Sequence, residues 1–454
     1  MTRVVVVGGG ISGLVAARAV GRRPGIEALV LEGASRTGGK LRRETVAGVA
    51  VDVGAEAMLH RRPEGGALAA ELGVPLVHPT GATSRVWWGD ELRPLPRSLM
   101  GVPMDLSALE SSGLLTPAGL AAVRAEPRLP TTTLDADVSV AELVGGRLGP
   151  EVVDRLVEPL LGGVYAGHAA EISVRAAVPQ LVAMANRGSL LEQALALPTS
   201  TTPVFAGLEG GMGRLPALIE EAGDFAVRRD AMVRGLRRSG SGYRLVVGSA
   251  DRPEEIAADA VILAVPAAPA ARLLGDLAPE AARRLSGIDT ASVVVVTFAF
   301  RVADLAGHPS LDGGVSGFLV PPSQGRRVKA ATFSFAKWAW VRAAGGGDVV
   351  HLRTSLGRHG EATALQATDE ELVAWSLQDL AAATGLVAEP VDVHVQRWGG
   401  ALPQYAVGHL ERVAAIRADV GAIPGLAVCG ASYDGVGIPA CIGSALRAAA
   451  DVLR

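Results

Sequence analysis

The first 32 residues hold three glycines and one carboxylate at spacings suited to a diphosphate and a ribose. Gly8-x-Gly10-x-x-Gly13 follows the valine-rich run Arg3 to Val7 and opens the alanine-rich, helix-forming stretch Leu14 to Val20. In that context Gly8 permits a tight turn, Gly10 lets the backbone approach a pyrophosphate, and Gly13 lets helix and strand pack closely. The helix would then face the phosphates with free N–H groups and a partial positive charge. Glu32, 19 positions after Gly13, closes a second strand, Ala28 to Leu31, where a carboxylate can accept hydrogen bonds from a ribose diol. A glycine triplet alone is weak evidence, but with strand, helix and terminal acid it predicts a dinucleotide-binding βαβ unit.

NAD and FAD share this fingerprint, so the choice between them rests on the residues beyond Glu32. Arg36-Thr37-Gly38-Gly39-Lys40 comes first, and then Val51-Asp52-Val53-Gly54-Ala55-Glu56. Here the sequence resembles the flavoprotein group that includes amine oxidases, phytoene desaturases and protoporphyrinogen oxidases. The resemblance implies FAD, with the Arg36 to Lys40 stretch around its pyrophosphate and Gly54 to Ala57 reaching the flavin. It also implies that the Val233 backbone meets the adenine. The segment Gly430 to Pro439 would approach the ring, with a positive helix end at the pyrimidine edge that favours an anionic reduced flavin.

Four stretches narrow the resemblance: Tyr433 to Ile442, Glu158 to Gly167, Gly210 to Leu215, and Pro403 to Leu410. They are similar to the protoporphyrinogen oxidase family, and more particularly to its bacterial coproporphyrinogen III oxidase branch. The likeness covers the whole chain. It implies oxidation of a porphyrinogen, coproporphyrinogen III favoured over protoporphyrinogen IX, with oxygen as acceptor and hydrogen peroxide as by-product in haem biosynthesis. A hand-off of product to a haem-pathway chelatase is also implied. The implied FAD contacts are Gly8, Gly9, Gly10, Ile11, Ser12, Gly13, Glu32, Gly33, Arg36, Gly39, Lys40, Gly54, Ala55, Glu56, Ala57, Val233, Trp398, Val436, Gly437 and Ile438.

The flavin carries such chemistry, so no dedicated catalytic side chain is expected. Substrate propionates need cations, because unpaired buried carboxylates are costly. Arg93, Arg97 and Lys337 are the candidates. Three departures from the family pattern bear on the substrate side. Ala440 replaces an acid, Ala339 and Trp340 replace Pro-His, and Met100 stands where plant and animal members carry a propionate-binding arginine. Other readings are an amine oxidase or desaturase of the same fold, and a flavin-binding protein without turnover.

A chain of 454 residues exceeds what one hydrophobic core supports, so at least two domains are expected. The expected class is α/β: an FAD-binding Rossmann-type domain, like those of glutathione reductase and the amine oxidases, with a mixed-sheet substrate domain and a helical lobe. The expected boundaries are 1–52, 205–285 and 400–454 for the FAD-binding domain, 53–95, 175–204 and 286–399 for the substrate domain, and 96–174 for the helical lobe. Strands are expected at Tyr243 to Val247, Ser292 to Phe300, Val315 to Val320, Ala330 to Phe335 and Val349 to Thr354.

A net charge of −3 argues against a nucleic-acid surface. No stretch reaches the roughly 18 apolar residues of a membrane span, which leaves peripheral membrane contact open. Cys429 and Cys441 lack metal or redox spacing and fit a reducing cytoplasm. Ser334-x-x-Lys337 has a hydrolase-like spacing but falls in an expected strand, and the eight histidines show no metal-site spacing.

Overall fold

Four buried valines, Val4 to Val7, build β1 (Thr2–Val7) of the computed structural model, which describes residues 1–198, 202–361 and 366–453. Helix α1 (Ile11–Gly21) returns the chain to β2 (Ile26–Leu31), which pairs in parallel with β1 from Thr2 to Val7. Segments distant in sequence complete a parallel sheet in the order Ala226–Arg228, β2, β1, Ala260–Leu263, Leu426–Val428. Such a sheet must be covered on both faces, and side-chain alternation along β1 divides the work. Val4 and Val6 pack beneath α1 and the last helix, Ile438–Val452. Val5 and Val7 face a small antiparallel sheet through Tyr243 and Leu245, and the helix Ala267–Leu274.

A second, seven-stranded sheet has the order Asp392–Pro403, Thr290–Arg301, Val349–Leu356, Val328–Thr332, Val315–Leu319, Thr83–Trp88, Glu91–Pro94. It is mixed: Val315–Leu319 runs parallel to Thr83–Trp88 while the other neighbours are antiparallel. One face is closed by the helix Asp369–Thr384, which a Thr368/Glu371 capping box starts.

The third layer is helical and runs further than expected. Leu181, Met184, Leu190 and Leu191 are buried in the same core as Leu143 and Leu156, so the helices continue past 174 to Leu195. Within this layer Pro159 has no N–H to donate, and the ladder widens to a π turn over Val153–Val157 before the helix Glu158–Tyr165. A second correction concerns 330–335. The strand ends at Thr332, and bonds from the Ala336 and Lys337 N–H groups to the Phe333 carbonyl turn Ser334–Lys337 into one helical turn. Local hydrogen bonds replace the ladder there and redirect Lys337 toward Glu56. No helix among the described residues is long and apolar enough to cross a membrane.

Candidate active site

The glycine turn is as tight as its residue types allow. Gly8 has φ +103°, its N–H donates to the Leu31 carbonyl at 2.8 Å, and an added Cβ would lie 2.6 Å from the Ala264 oxygen. A Cβ on Gly13 would lie 1.8 Å from the Gly8 oxygen, so α1 abuts the turn itself. The N-cap, Gly10, makes no side-chain capping bond, which leaves the first-turn N–H groups of Ile11 and Ser12 to a ligand. Glu32 braces this turn: its carboxylate accepts from Gly9 N–H at 2.6 Å and from Ala34 N–H at 2.8 Å. Next to it, a Cβ on Gly33 would meet Met232, the residue before Val233.

The Arg36 to Lys40 loop lies against the turn. Gly38, at φ +99°, donates from its N–H to the Gly9 carbonyl at 2.8 Å. The Arg36 guanidinium donates to the Thr37 and Gly39 carbonyls, both at 3.2 Å. Burial lowers the Lys40 pKa, and its ammonium has no hydrogen-bond or ion-pair partner among the described residues.

A second wall comes from Gly54 to Ala57. Ala55 N–H donates to the Lys40 carbonyl at 3.1 Å, and a Cβ on Gly54 would lie 2.1 Å from that same oxygen and 3.1 Å from the Trp398 ring. Glu56 is buried and takes Lys337 Nζ at 2.6 Å and Arg353 Nη2 at 3.2 Å, while Arg353 Nη1 donates to the Gly54 carbonyl at 2.7 Å. Burial pushes the Glu56 carboxyl up, but the two cations outweigh it and hold it down at about 2. Ala57 packs beside Trp338. Asp52 accepts N–H bonds from Met212 and Gly213, each at 2.8 Å, and so fastens the Gly210 to Leu215 stretch; burial raises its pKa to about 7.

The last helix completes the enclosure. Its N-cap, Gly437, also lacks a side-chain cap, and Ser12 Oγ donates to the Cys441 carbonyl at 3.1 Å, which sets the starts of the first and last helices side by side. Val436 packs into the helical-layer core with Tyr165 and Tyr405. Ala166, at φ +50°, is buried with Val293 and Ala401 and has Trp398 against it. Gln404 Nε2 donates to the Tyr165 carbonyl at 2.8 Å.

The structure therefore brings together the glycine turn, the Arg36 to Lys40 loop, Gly54 to Ala57, Trp398 and Val436 to Ile438. Lys337 is close to this set but already paired with Glu56. Arg93 lies elsewhere: it donates to the Gly113 carbonyl at 2.6 Å and pairs with Glu91 at 3.1 Å. Arg97 accepts from Met104 N–H through its backbone at the mouth of the Ser98–Leu99 hairpin. Sequence reasoning missed Asp52 and Arg353, whose partners lie 160 and 299 residues away and leave no local signal. Two uncapped helix starts, glycines with no room for a Cβ, and an unpartnered Lys40 ammonium fit a diphosphate-bearing dinucleotide.

Residues 11–453 match the family of flavin containing amine oxidoreductases. The chain belongs to that family. It is a flavoprotein, and FAD is its cofactor. Within the family it groups with the coproporphyrinogen III oxidases. It is 42% identical to that of Mycobacterium tuberculosis over 99% of this chain and 97% of the relative. It is 30% identical to that of Bacillus subtilis, again over 99% and 97%. A crystal structure from Exiguobacterium, of a protein proposed to be a protoporphyrinogen oxidase, superposes with a TM-score of 0.88 at 31% identity, covering 100% of this chain and 99% of the other.

Proposed function

We propose that this flavoprotein oxidises coproporphyrinogen III to coproporphyrin III, in preference to protoporphyrinogen IX, with oxygen as acceptor and hydrogen peroxide as by-product. The observation that carries the reading is Trp398 set between Gly54 and Ala166, joined to 42% identity over 99% of the chain with the Mycobacterium tuberculosis coproporphyrinogen III oxidase. FAD, when bound, would supply a two-electron oxidation in each of three rounds, which together remove the six hydrogens that separate porphyrinogen from porphyrin and reduce three oxygen molecules to peroxide. The chain's own residues bind and orient. The N–H groups of Gly10, Ile11 and Ser12 meet the diphosphate; Glu32 and Gly33 meet the ribose; Arg36, Gly39 and Lys40 line the pyrophosphate; Val233 borders the adenine. Gly54 to Ala57, Trp398 and Val436 to Ile438 enclose the isoalloxazine and exclude water from it.

In this reading 1–52, 205–285 and 400–454 hold FAD, 286–399 with 53–95 forms the substrate sheet, and the helices that start within 96–174 roof the substrate chamber. We place the enzyme in the cytoplasm, in haem biosynthesis ahead of a chelatase; the two buried free thiols suit that compartment. The test is to mix the FAD-loaded protein with coproporphyrinogen III prepared under anaerobic conditions, admit oxygen, and follow porphyrin fluorescence together with peroxide. Porphyrin and peroxide rising together support the reading. A yellow protein that yields neither, or that oxidises amines instead, overturns it.

A further inference from the structure

Two buried basic side chains make hydrogen bonds to neutral partners only. Lys329 lies at a register shift in the strand Val328–Thr332, is 5% exposed, and donates from Nζ to the Gly357 carbonyl at 2.8 Å. Arg358, 6% exposed, donates from Nη2 to the Val320 carbonyl at 2.8 Å. Neither forms an ion pair among the described residues. The exposed carboxylate of Glu361 attracts both without pairing with either. The part-buried carboxylate of Glu158 also attracts Arg358, with no ion pair between them. Its Oε1 accepts from Ala169 N–H at 2.8 Å, its Oε2 is buried without a hydrogen bond, and burial raises its pKa toward the neutral form.

Their location links this charge to Trp398. The loop that carries Arg358 is tied by the His359 N–H to the Ala166 carbonyl at 2.6 Å, and Ala166 packs beside Trp398. Leu319, next to the Val320 that holds Arg358, lies 3.8 Å from where a Cβ on Gly163 would be. Burial and the neighbouring Arg358 lower the Lys329 pKa to about 7, so a charged ammonium is costly there, and a carboxylate reaching the pair offsets that cost. Arginine adds the planar donor fork that matches a carboxylate in two-point contact.

We propose that Lys329 and Arg358 form a carboxylate subsite that receives one propionate of the porphyrinogen. This rests on the oxidase reading above and extends it to residues that neither motif nor resemblance marked. The subsite replaces the role first expected of Lys337, whose charge Glu56 neutralises.

The test compares binding of coproporphyrin III and of its tetramethyl ester to the FAD-loaded protein, by porphyrin fluorescence. The wild type is expected to bind the acid at least about tenfold more tightly than the ester. Lys329→Met and Arg358→Met should each remove most of that difference while flavin content and ester affinity stay unchanged. Arg358→Lys, which keeps the charge, should retain part of it and separates charge from packing. Equal weakening of acid and ester by the Met variants, or equal affinities in the wild type, overturns the subsite. A wild type that makes no porphyrin from coproporphyrinogen overturns the reading beneath it, so the two failures are distinct.

Discussion

Trp398 donates its indole N–H to the carbonyl of Val53 at 3.1 Å and so fixes an edge strand of the seven-stranded sheet to the segment entering Gly54. The same ring lies 3.1 Å from where a Cβ on Gly54 would be. One side chain thus ties the seven-stranded sheet to the Gly54 segment, where the flavin edge is expected.

Trp398→Phe keeps an aromatic ring but deletes the bond to Val53. Loss of one partly buried hydrogen bond should lower unfolding stability by about 1 kcal/mol. More tellingly, the purified variant should carry less FAD, read as the ratio of absorbance near 450 nm to that at 280 nm. A variant with full flavin content would show that the Val53 bond does not help shape the cofactor site.

At Gly13 the helix meets the turn with no slack, since a methyl group would sit 1.8 Å from the Gly8 oxygen. Gly13→Ala must push α1 off the sheet and tilt its free N–H groups away from the diphosphate. The expected product is colourless protein with a lowered melting temperature that excess FAD does not rescue. Normal flavin uptake by Gly13→Ala would break the assignment of this turn to the diphosphate.

The βαβ unit was legible because its signal is local: the valine run, the glycine spacing and Glu32 fall within 32 residues. The last helix was legible for the same reason, with glycines and Pro439 in one run. What stayed hidden depends on distant partners. Nothing around Lys329 or Arg358 says that these cations are buried, because the helix Glu158–Tyr165 that lies over them arrives from far earlier in the chain. Ser334–Lys337 holds the β-prone Phe335 and follows Phe333, yet local backbone bonds made it helical. The helices beyond 174 were missed because short amphipathic turns such as Leu190–Leu195 declare themselves only when Leu143 and Leu156 are there to bury them.

Glu56 makes acid stability a readout of its two cations. Its folded pKa is depressed to about 2 from an ordinary 4.5, so the unfolded chain binds more protons between those values and stability rises with pH across that window. The contribution is complete above 4.5 and is lost as pH falls toward about 2. Wild type should therefore exceed Glu56→Gln in unfolding free energy at pH 5, and the gap should shrink at pH 3. A gap that does not change with pH would mean that Lys337 and Arg353 do not stabilise the ionised carboxylate.

The helical roof has its own buried ion pair, Glu126 with Arg147, at side-chain exposures of 0% and 4%. Glu126 also accepts from Ser189 Oγ and from the N–H groups of Leu190 and Leu191 at 2.9 and 3.1 Å, so it anchors the start of the helix Leu190–Leu195. Arg147 donates further to the Pro130 carbonyl at 2.9 Å and to Thr132 Oγ1 at 2.8 Å. Breaking one side leaves a buried charge unpaired, which costs about 3 to 5 kcal/mol, whereas removing both can be close to neutral. Glu126→Gln and Arg147→Met should each lower stability markedly in urea titrations, and the double variant should recover much of the loss. FAD content should hold in all three, because this network lies in the helical core, apart from the cofactor turn. Strict additivity in the double-mutant cycle would show that the two side chains stabilise the roof independently, against the pairing described here.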